Sequence, residues 1–310
     1  MEKQTYPIPK APERYTDLRG MWPWMPPHLL PYVQLLRLDR PTGYWLLVLP
    51  AWMSILIASE RFDWQTLGLL LIFLIGAVAL RGAGCVINDL WDRDFDRRVE
   101  RTADRPLAAG AISGRRALGL FIILIGAGVL ILMFLPWRVW GWALLSLPLI
   151  ITYPLAKRFL PTPQVVLGLT FSWGALLGWL SVRPYFEAPT LWLYAGTFAW
   201  ILYYDTIYAT QDRADDQRMG LKSMPLFLGD TLHLGLIVFA LSAFVLWALG
   251  LIAAGAGLLS WLGLLIIGGL IIRQLSSFDA NDAAHCLKQF KANATLGQIW
   301  CLFLALDLVF

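Results

Sequence analysis

The chain has 310 residues, of which 58% are hydrophobic and 15% are charged, and its mean hydropathy is +0.61. Soluble domains carry about 25% charged residues, so this composition excludes an ordinary soluble protein and predicts an integral membrane protein. The net charge of +4 is too small to indicate nucleic-acid binding, and the three widely separated cysteines do not imply a disulfide framework or a zinc site.

Residues 1–40 are predicted to form a cytoplasmic or interfacial arm, because they are polar and rich in proline. The pattern that begins at Tyr32 is typical of a short amphipathic helix that lies in the membrane interface. The arm also contains Glu2, Glu13 and Asp17, and transit peptides are poor in acidic residues. The sequence therefore predicts a bacterial inner membrane rather than the mitochondrial inner membrane.

We expect residues 41–310 to form a single transmembrane domain, because nine apolar segments follow one another there. Each segment is close to the length of about 20 residues that spans roughly 30 Å of hydrocarbon. Pro148 and Pro154 should bend the fourth segment. The segments lie at about residues 43–59, 65–87, 117–135, 138–155, 164–182, 189–208, 232–250, 255–273 and 295–310.

The distribution of positive charge agrees with nine spans. Of the 25 Lys and Arg residues, all but Arg61, Arg138 and Arg183 fall on one side of this layout. The positive-inside rule then predicts a cytoplasmic N-terminus and a C-terminus on the opposite side. A wrong number of helices would scramble the alternation.

A cluster of acidic and amide side chains begins where the second apolar segment ends. Asn88, Asp92 and Asp96 are spaced at i, i+4 and i+8, so on a helix they share one face. Oxygen donors of this kind suit Mg²⁺, which usually keeps several waters and takes further ligands from a phosphate. Nearby arginines favour a polyanion held by metal and guanidinium together. They are Arg93, Arg97, Arg98, Arg101 and Arg105.

A second acidic cluster follows the sixth apolar segment. Asp205, Asp212 and Asp216 recur at intervals of seven and four residues, and Lys222 follows them. Charged residues at a helix end often form only a solvent-exposed face without a function. Two such clusters at the cytoplasmic ends of apolar segments favour a shared functional site. With a deep apolar bundle, they suggest a bound isoprenoid diphosphate whose leaving group is neutralised by metal ions.

The acidic clusters match the motifs of a known family. NDLWDRDFD (Asn88–Asp96) resembles the NDxxDxxxD motif of the UbiA-type intramembrane prenyltransferases, and DRADD (Asp212–Asp216) resembles their DxxxD motif. The sequence around both motifs most resembles that of the family members that prenylate 4-hydroxybenzoate in ubiquinone synthesis. Further matches are YPLAKR at 153–158, PQVVLG at 163–168, GLKS at 220–223 and FKANATLG at 290–297.

The resemblance implies nine helices around a central cavity and a Mg²⁺-dependent enzyme. Polyprenyl diphosphate would alkylate the ring carbon ortho to the hydroxyl of 4-hydroxybenzoate, with no obligate protein partner. Two Mg²⁺ ions would be held by Asn88, Asp92, Asp96, Asp212 and Asp216. The four aspartates of this set would be the catalytic residues. Diphosphate would contact Arg101, Arg105, Tyr153, Lys157 and Lys222. The acceptor carboxylate would be held by Arg158 or Arg40, with Arg158 slightly favoured. Asp94 is assigned to solvent, and Asp215 is left open.

Other functions remain open at this point. Within the family, the acceptor could be a naphthoate, homogentisate, a chlorophyllide or haem. An acid-lined cation transporter belongs to a different class, but its polar residues would normally lie near the bilayer midplane. A phospholipid headgroup transferase is disfavoured, because its DGxxAR-type motif is absent from the sequence.

Overall fold

The computed structural model describes residues 25–97, 102–218 and 220–310, and within these ranges it contains helices and turns but no strand. This confirms the all-α class. The helices are α1 (Leu30–Leu35), α2 (Thr42–Ala58), α3 (Trp64–Trp91), α4 (Arg93–Asp96), α5 (Gly114–Met133), α6 (Trp137–Leu145), α7 (Leu147–Phe159), α8 (Gln164–Val182), α9 (Ala188–Thr210), α10 (Arg213–Arg218), α11 (Met224–Leu228), α12 (Leu232–Ala254), α13 (Leu258–Ser276) and α14 (Ala283–Asp307).

Each predicted apolar segment coincides with helix, but two of them differ in detail. The fourth segment consists of α6 and α7, which are separated at Ser146, and Pro148 lies in the first turn of α7. Proline lacks a backbone N–H and is tolerated best in a first turn. The ninth helix begins twelve residues earlier than expected, because the Asp282 carboxylate caps it by accepting the His285 N–H at 2.9 Å.

Five helical segments in the described chain are long and apolar enough to cross a membrane. Helix α2 is apolar but shorter, and α14 carries buried polar side chains such as Gln289 and Asn293. A transmembrane bundle agrees with these lengths, whereas the count of nine spans and the orientation of the N-terminus stay predictions. The five segments are Trp64–Trp91, Gly114–Met133, Gln164–Val182, Met224–Ala254 and Leu258–Ser276.

The chain divides into two compact units. The first unit consists of the described residues up to Trp45 together with those between Leu74 and Phe134. Its core is formed by the fully buried side chains of Leu35, Val86 and Leu107, packed with Ile112 and Ala117. These residues come from α1, the second half of α3, the loop before α5, and α5 itself. The core therefore fixes the end of α3, where the first acidic motif begins.

The second unit consists of Leu46–Phe73 and Leu135–Phe310, and it is built around α9. Helix α9 packs against α8, α12 and α14. The buried rings of Trp200, Trp247 and Trp300 join three of these helices, with centroid separations of 5.5 Å and 4.7 Å. Aromatic side chains bury large apolar areas, so this stack fixes α9, the helix that leads into the second acidic motif.

Candidate metal and diphosphate site

The first acidic motif keeps helical spacing across a break in the helix. Helix α3 ends at Trp91, yet the Asp92 N–H donates to the Asn88 carbonyl at 2.9 Å. The Asp96 N–H donates to the Asp92 carbonyl at 2.7 Å. Asn88 and Asp92 are half-buried and Asp96 is buried. The three predicted ligands are therefore one helical turn apart.

Asp89, one residue after the first predicted ligand, lies in a buried ion network. Its carboxylate accepts two hydrogen bonds from Nη2 of Arg37, at 2.9 and 3.0 Å. Nη1 of Arg105 contacts the same carboxylate at 3.3 Å and the Asp96 carboxylate at 2.8 Å. Arg105, predicted as a diphosphate ligand, therefore bridges two aspartates in the first unit.

Arg40, the second candidate for the acceptor carboxylate, has an acidic neighbour. Its Nε lies 3.4 Å from Oδ2 of Asp39, and 45% of its side chain is exposed. Burial raises the pKa of the Asp39 carboxyl, and the positive charges of Arg40 and Arg37 oppose that rise. Part of the positive charge of Arg40 is thus already balanced.

The second acidic motif is also held at one-turn spacing. The Asp212 N–H donates to the Ala209 carbonyl at 3.2 Å, and the Asp216 N–H donates to the Asp212 carbonyl at 2.8 Å. Asp212 is half-buried and Asp216 is 8% exposed. Gly220 adopts a φ of +66°, which lets the chain reverse so that the Leu221 N–H bonds back to the Asp216 carbonyl.

The segment after the second motif is tied to the α7–α8 connection. Nζ of Lys222 donates to the Phe159 carbonyl at 3.1 Å, at the end of α7. The Met224 N–H donates to Oε1 of the buried Gln164 at 2.9 Å. The structure thus brings the GLKS and PQVVLG elements together. In this arrangement the Lys222 ammonium donates a hydrogen bond to a backbone carbonyl.

Four predicted site residues fall wholly or partly beyond this description. Arg101 lies outside the described residues. Tyr153, Lys157 and Arg158 lie on α7, but only their backbone is described. Their helix ends at Phe159, next to the segment that carries Lys222. Their assigned roles stay predictions.

The donor set fits a hard divalent cation. Asn88, Asp92 and Asp96, like Asp212 and Asp216, offer oxygen atoms, which Mg²⁺ prefers. Within the described ranges, however, no group of three or more His, Cys, Asp or Glu side chains is gathered to hold a metal ion. A metal at either motif would therefore take ligands from water or an anionic substrate, as Mg²⁺ normally does.

Sequence reasoning missed the roles of Arg37 and Asp89. In the sequence, Arg37 is one of the many positive charges on the side predicted to be cytoplasmic, and the metal-ligand spacing does not include Asp89. One signal was present: Asp89 and Asp96 are seven residues apart, so they share a helix face. A buried acid on an apolar helix requires a cation partner, but the sequence does not reveal which one.

Several similar proteins are 4-hydroxybenzoate polyprenyltransferases from animal mitochondria. The chain is 42% identical to the mitochondrial 4-hydroxybenzoate polyprenyltransferase of Caenorhabditis elegans, over 88% of this chain and 77% of that one. The Rattus norvegicus enzyme is 41% identical over 91% of this chain and 75% of its own length. The Homo sapiens enzyme is 42% identical over 88% and 74%.

The prediction of a bacterial inner membrane is wrong, because these relatives are mitochondrial and point to the mitochondrial inner membrane instead. The prediction rested on Glu2, Glu13 and Asp17, which lie outside the described residues. Three acidic side chains bear only on whether an arm resembles a transit peptide, and they say nothing about the membrane that holds the helices.

Solved structures agree with the fold. The apo structure of a UbiA homolog from Aeropyrum pernix K1 matches with a TM-score of 0.73 at 24% identity, over 87% of this chain and 99% of that chain. A UbiA homolog from Archaeoglobus fulgidus bound to GPP and Mg²⁺ matches with a TM-score of 0.65 at 21% identity, over 89% and 98%. A profile of the UbiA prenyltransferase family matches residues 47–302. This chain belongs to the UbiA prenyltransferase family.

Proposed function

We propose that the protein transfers a polyprenyl group from polyprenyl diphosphate to 4-hydroxybenzoate and releases diphosphate, as a step of ubiquinone synthesis. The observation that carries the proposal is the identity of 41–42% to 4-hydroxybenzoate polyprenyltransferases over at least 88% of the chain. The two acidic motifs support it, because each keeps its oxygen donors one helical turn apart.

Asn88, Asp92 and Asp96 would hold one Mg²⁺ ion, and Asp212 and Asp216 would hold a second. The binding of Mg²⁺ and GPP by the Archaeoglobus fulgidus homolog supports a divalent metal in this family. When bound, such ions supply Lewis-acid stabilisation of the diphosphate leaving group. The half-buried positions of Asp92 and Asp212 suit this role, since neither residue is fully enclosed by the protein.

The chain's own residues would position the two substrates. The residues that would bind diphosphate are Arg101, Arg105, Tyr153, Lys157 and Lys222. The bond between the prenyl carbon and the diphosphate oxygen breaks, and a carbon–carbon bond forms ortho to the acceptor hydroxyl. The ring then loses the proton from that carbon, and its carboxylate is retained. No nucleophilic side chain takes part in this sequence.

Arg158 is the better candidate for the acceptor carboxylate. Arg40 already has the Asp39 carboxylate 3.4 Å from its Nε, which weakens its attraction for a second anion. Arg158 lies one residue after Lys157, so the two substrates' anionic groups would approach neighbouring positions on α7.

We further propose that residues 41–310 form one domain with nine membrane spans. The excess of Lys and Arg on one side of the layout supports this count, and by the positive-inside rule it supports a cytoplasmic N-terminus. The enzyme would then work within the lipid bilayer without an obligate protein partner.

The test is direct assay of the purified chain. The protein in lipid vesicles receives geranyl diphosphate, Mg²⁺ and 4-hydroxybenzoate, and products are identified by mass spectrometry. We expect the product to be a prenylated ring that retains its carboxylate. The control is the Asp212→Asn variant, which we expect to be inactive. Selective prenylation of a naphthoate or homogentisate would replace the proposed acceptor. Absence of transfer to any aromatic acceptor would refute the proposed function.

A further inference from the structure

The first acidic motif contains one carboxylate that is more deeply buried than the predicted metal ligands. The side chain of Asp89 is 1% exposed, and Arg37 and Arg105 hold it from two different segments. The Arg105 guanidinium then reaches the Asp96 carboxylate at 2.8 Å. A single chain of ion pairs therefore runs from the segment before α2 to the last ligand of the motif.

The backbone of Arg37 indicates that its guanidinium is needed at this position. Among the described residues, Arg37 is the one non-glycine residue with a positive φ, +57°. It follows α1, where a helix end usually takes glycine because other residues are strained in the left-handed region. Its Nη1 also donates to the Gln34 carbonyl at 2.7 Å. Glycine would relieve the strain but would abolish both of these side-chain interactions.

The network lies in a rigid frame. Leu35, Val86 and Leu107 are fully buried in one apolar core, and each is close in sequence to a member of the network. The interior of such a core is close-packed and resists displacement. Among the described residues of this network, two guanidinium groups face two carboxylates. Removal of Arg37 would take away one of the two described cations that contact these acids.

We propose that Asp89 and Arg37 are positioning residues that fix Arg105 beside Asp96, so that the last carboxylate of the motif and a neighbouring cation are pre-arranged for the diphosphate. Asp89 acts through Arg105 and does not itself touch substrate. This inference rests on the proposed function. It gives Asp89, the first aspartate of the motif, a task other than metal binding.

The experiment compares four single variants and one double variant with the wild-type protein. Asp89→Asn removes the buried negative charge with little change of shape, and Arg37→Ala removes the guanidinium. Arg37→Lys keeps the positive charge. Asp94→Asn is the matched control, because this aspartate lies on the same segment with its side chain 85% exposed. The measurements are kcat, the KM for geranyl diphosphate, the KM for 4-hydroxybenzoate and the unfolding temperature without Mg²⁺, each corrected for the folded fraction.

We expect Asp89→Asn and Arg37→Ala to lower kcat/KM for geranyl diphosphate about tenfold or more, with the KM for 4-hydroxybenzoate within about twofold of wild type. Arg37→Lys should recover part of that loss, and Asp94→Asn should behave as wild type. Combining Asp89→Asn with Arg37→Ala should cost less than the product of the two single losses, since both break one network.

Two outcomes would overturn the inference. If the folded variants retain wild-type kinetics and only their unfolding temperatures fall, the network is merely structural. If the KM for 4-hydroxybenzoate rises instead, the network positions the acceptor.

An inactive wild-type protein would refute the proposed function. The unfolding temperatures of the single and double variants would then still test the coupling of Arg37 with Asp89. Should Asp89→Asn fail to fold, the comparison of Arg37→Lys with Asp94→Asn decides.

Discussion

Helix α8 contains two glycines, one turn apart, for which the structure predicts opposite effects of the same substitution. A Cβ on Gly178 would lie 2.5 Å from the Ala51 carbonyl oxygen and 3.0 Å from its Cα. A Cβ on Gly174 would lie 3.4 Å from the Ala51 nitrogen, which is ordinary contact. Both face backbone of α2, so neither contact can be relieved by a side-chain rotation.

The expected magnitudes follow from two terms. Alanine is favoured over glycine within a helix by about 0.8–1 kcal/mol. Overpacking a well-packed interior costs about 1–3 kcal/mol, and contact with backbone places Gly178 at the upper end. The net loss for Gly178→Ala is therefore about 2 kcal/mol, whereas Gly174→Ala should be neutral or stabilising by up to about 1 kcal/mol. At about 2–4 °C per kcal/mol, Gly178→Ala should lower the unfolding temperature by about 4–8 °C.

The assay is thermal unfolding of both variants in one detergent, with half-lives at a fixed temperature as a check, because unfolding of large proteins is often irreversible. Gly174→Ala is the matched control, since it lies on the same helix against the same residue. Equal stability of the two variants would refute the close approach of α2 and α8 at Ala51. A more stable Gly178→Ala protein would refute it outright.

The remaining predictions concern the chemistry of the site. EDTA should abolish prenyl transfer and excess Mg²⁺ should restore it, whereas transfer that persists in EDTA would contradict a metal-dependent reaction. Asp92→Ala and Asp212→Ala should each lower kcat about a hundredfold or more, since metal stabilisation of a leaving group supplies several kcal/mol. Their combination should be little worse than the poorer single variant, and losses that multiply would mean separate sites. Arg158→Ala should raise the KM for 4-hydroxybenzoate about ten- to a hundredfold, the value of a charge-assisted hydrogen bond, with a smaller effect on the prenyl diphosphate. If Arg40→Ala has that effect instead, the acceptor site belongs to Arg40.

The helices were predictable wherever an apolar run matched the length of a membrane span. The predicted segment 164–182 coincides with α8, and the predicted segment 189–208 differs from α9 by one or two residues at each end. The prediction was less accurate for α14, because Lys288 and Lys291 interrupt the apolar pattern of its first turns. Hydropathy records which residues favour lipid, and it does not mark where a helix is capped.

The candidate site was predictable where its residues are close in sequence. The four-residue spacing of Asn88, Asp92 and Asp96 predicts that they share one helix face. Backbone hydrogen bonds in the structure maintain that spacing. The partnership of Arg37 with Asp89 spans 52 residues and depends on how α1 packs against α3. No local pattern encodes such a pair, so an arginine that neutralises a buried acid looks in the sequence like any other topogenic charge.

The geometry of the first motif explains why one aspartate belongs to two groups at once. At about 100° per residue on a helix, Asp92 lies about 40° and Asp96 about 80° around the axis from Asn88. Asp89 lies at about 100°, so Asp96 is about 20° from it and about 40° from Asp92. Asp96 therefore stands between the half-exposed row of oxygen donors and the buried aspartate that binds arginine. The contact of its carboxylate with Arg105 at 2.8 Å follows from that position. In the proposed site, a metal ion and a guanidinium would thus act on neighbouring oxygens of this segment, as binding of a diphosphate would require.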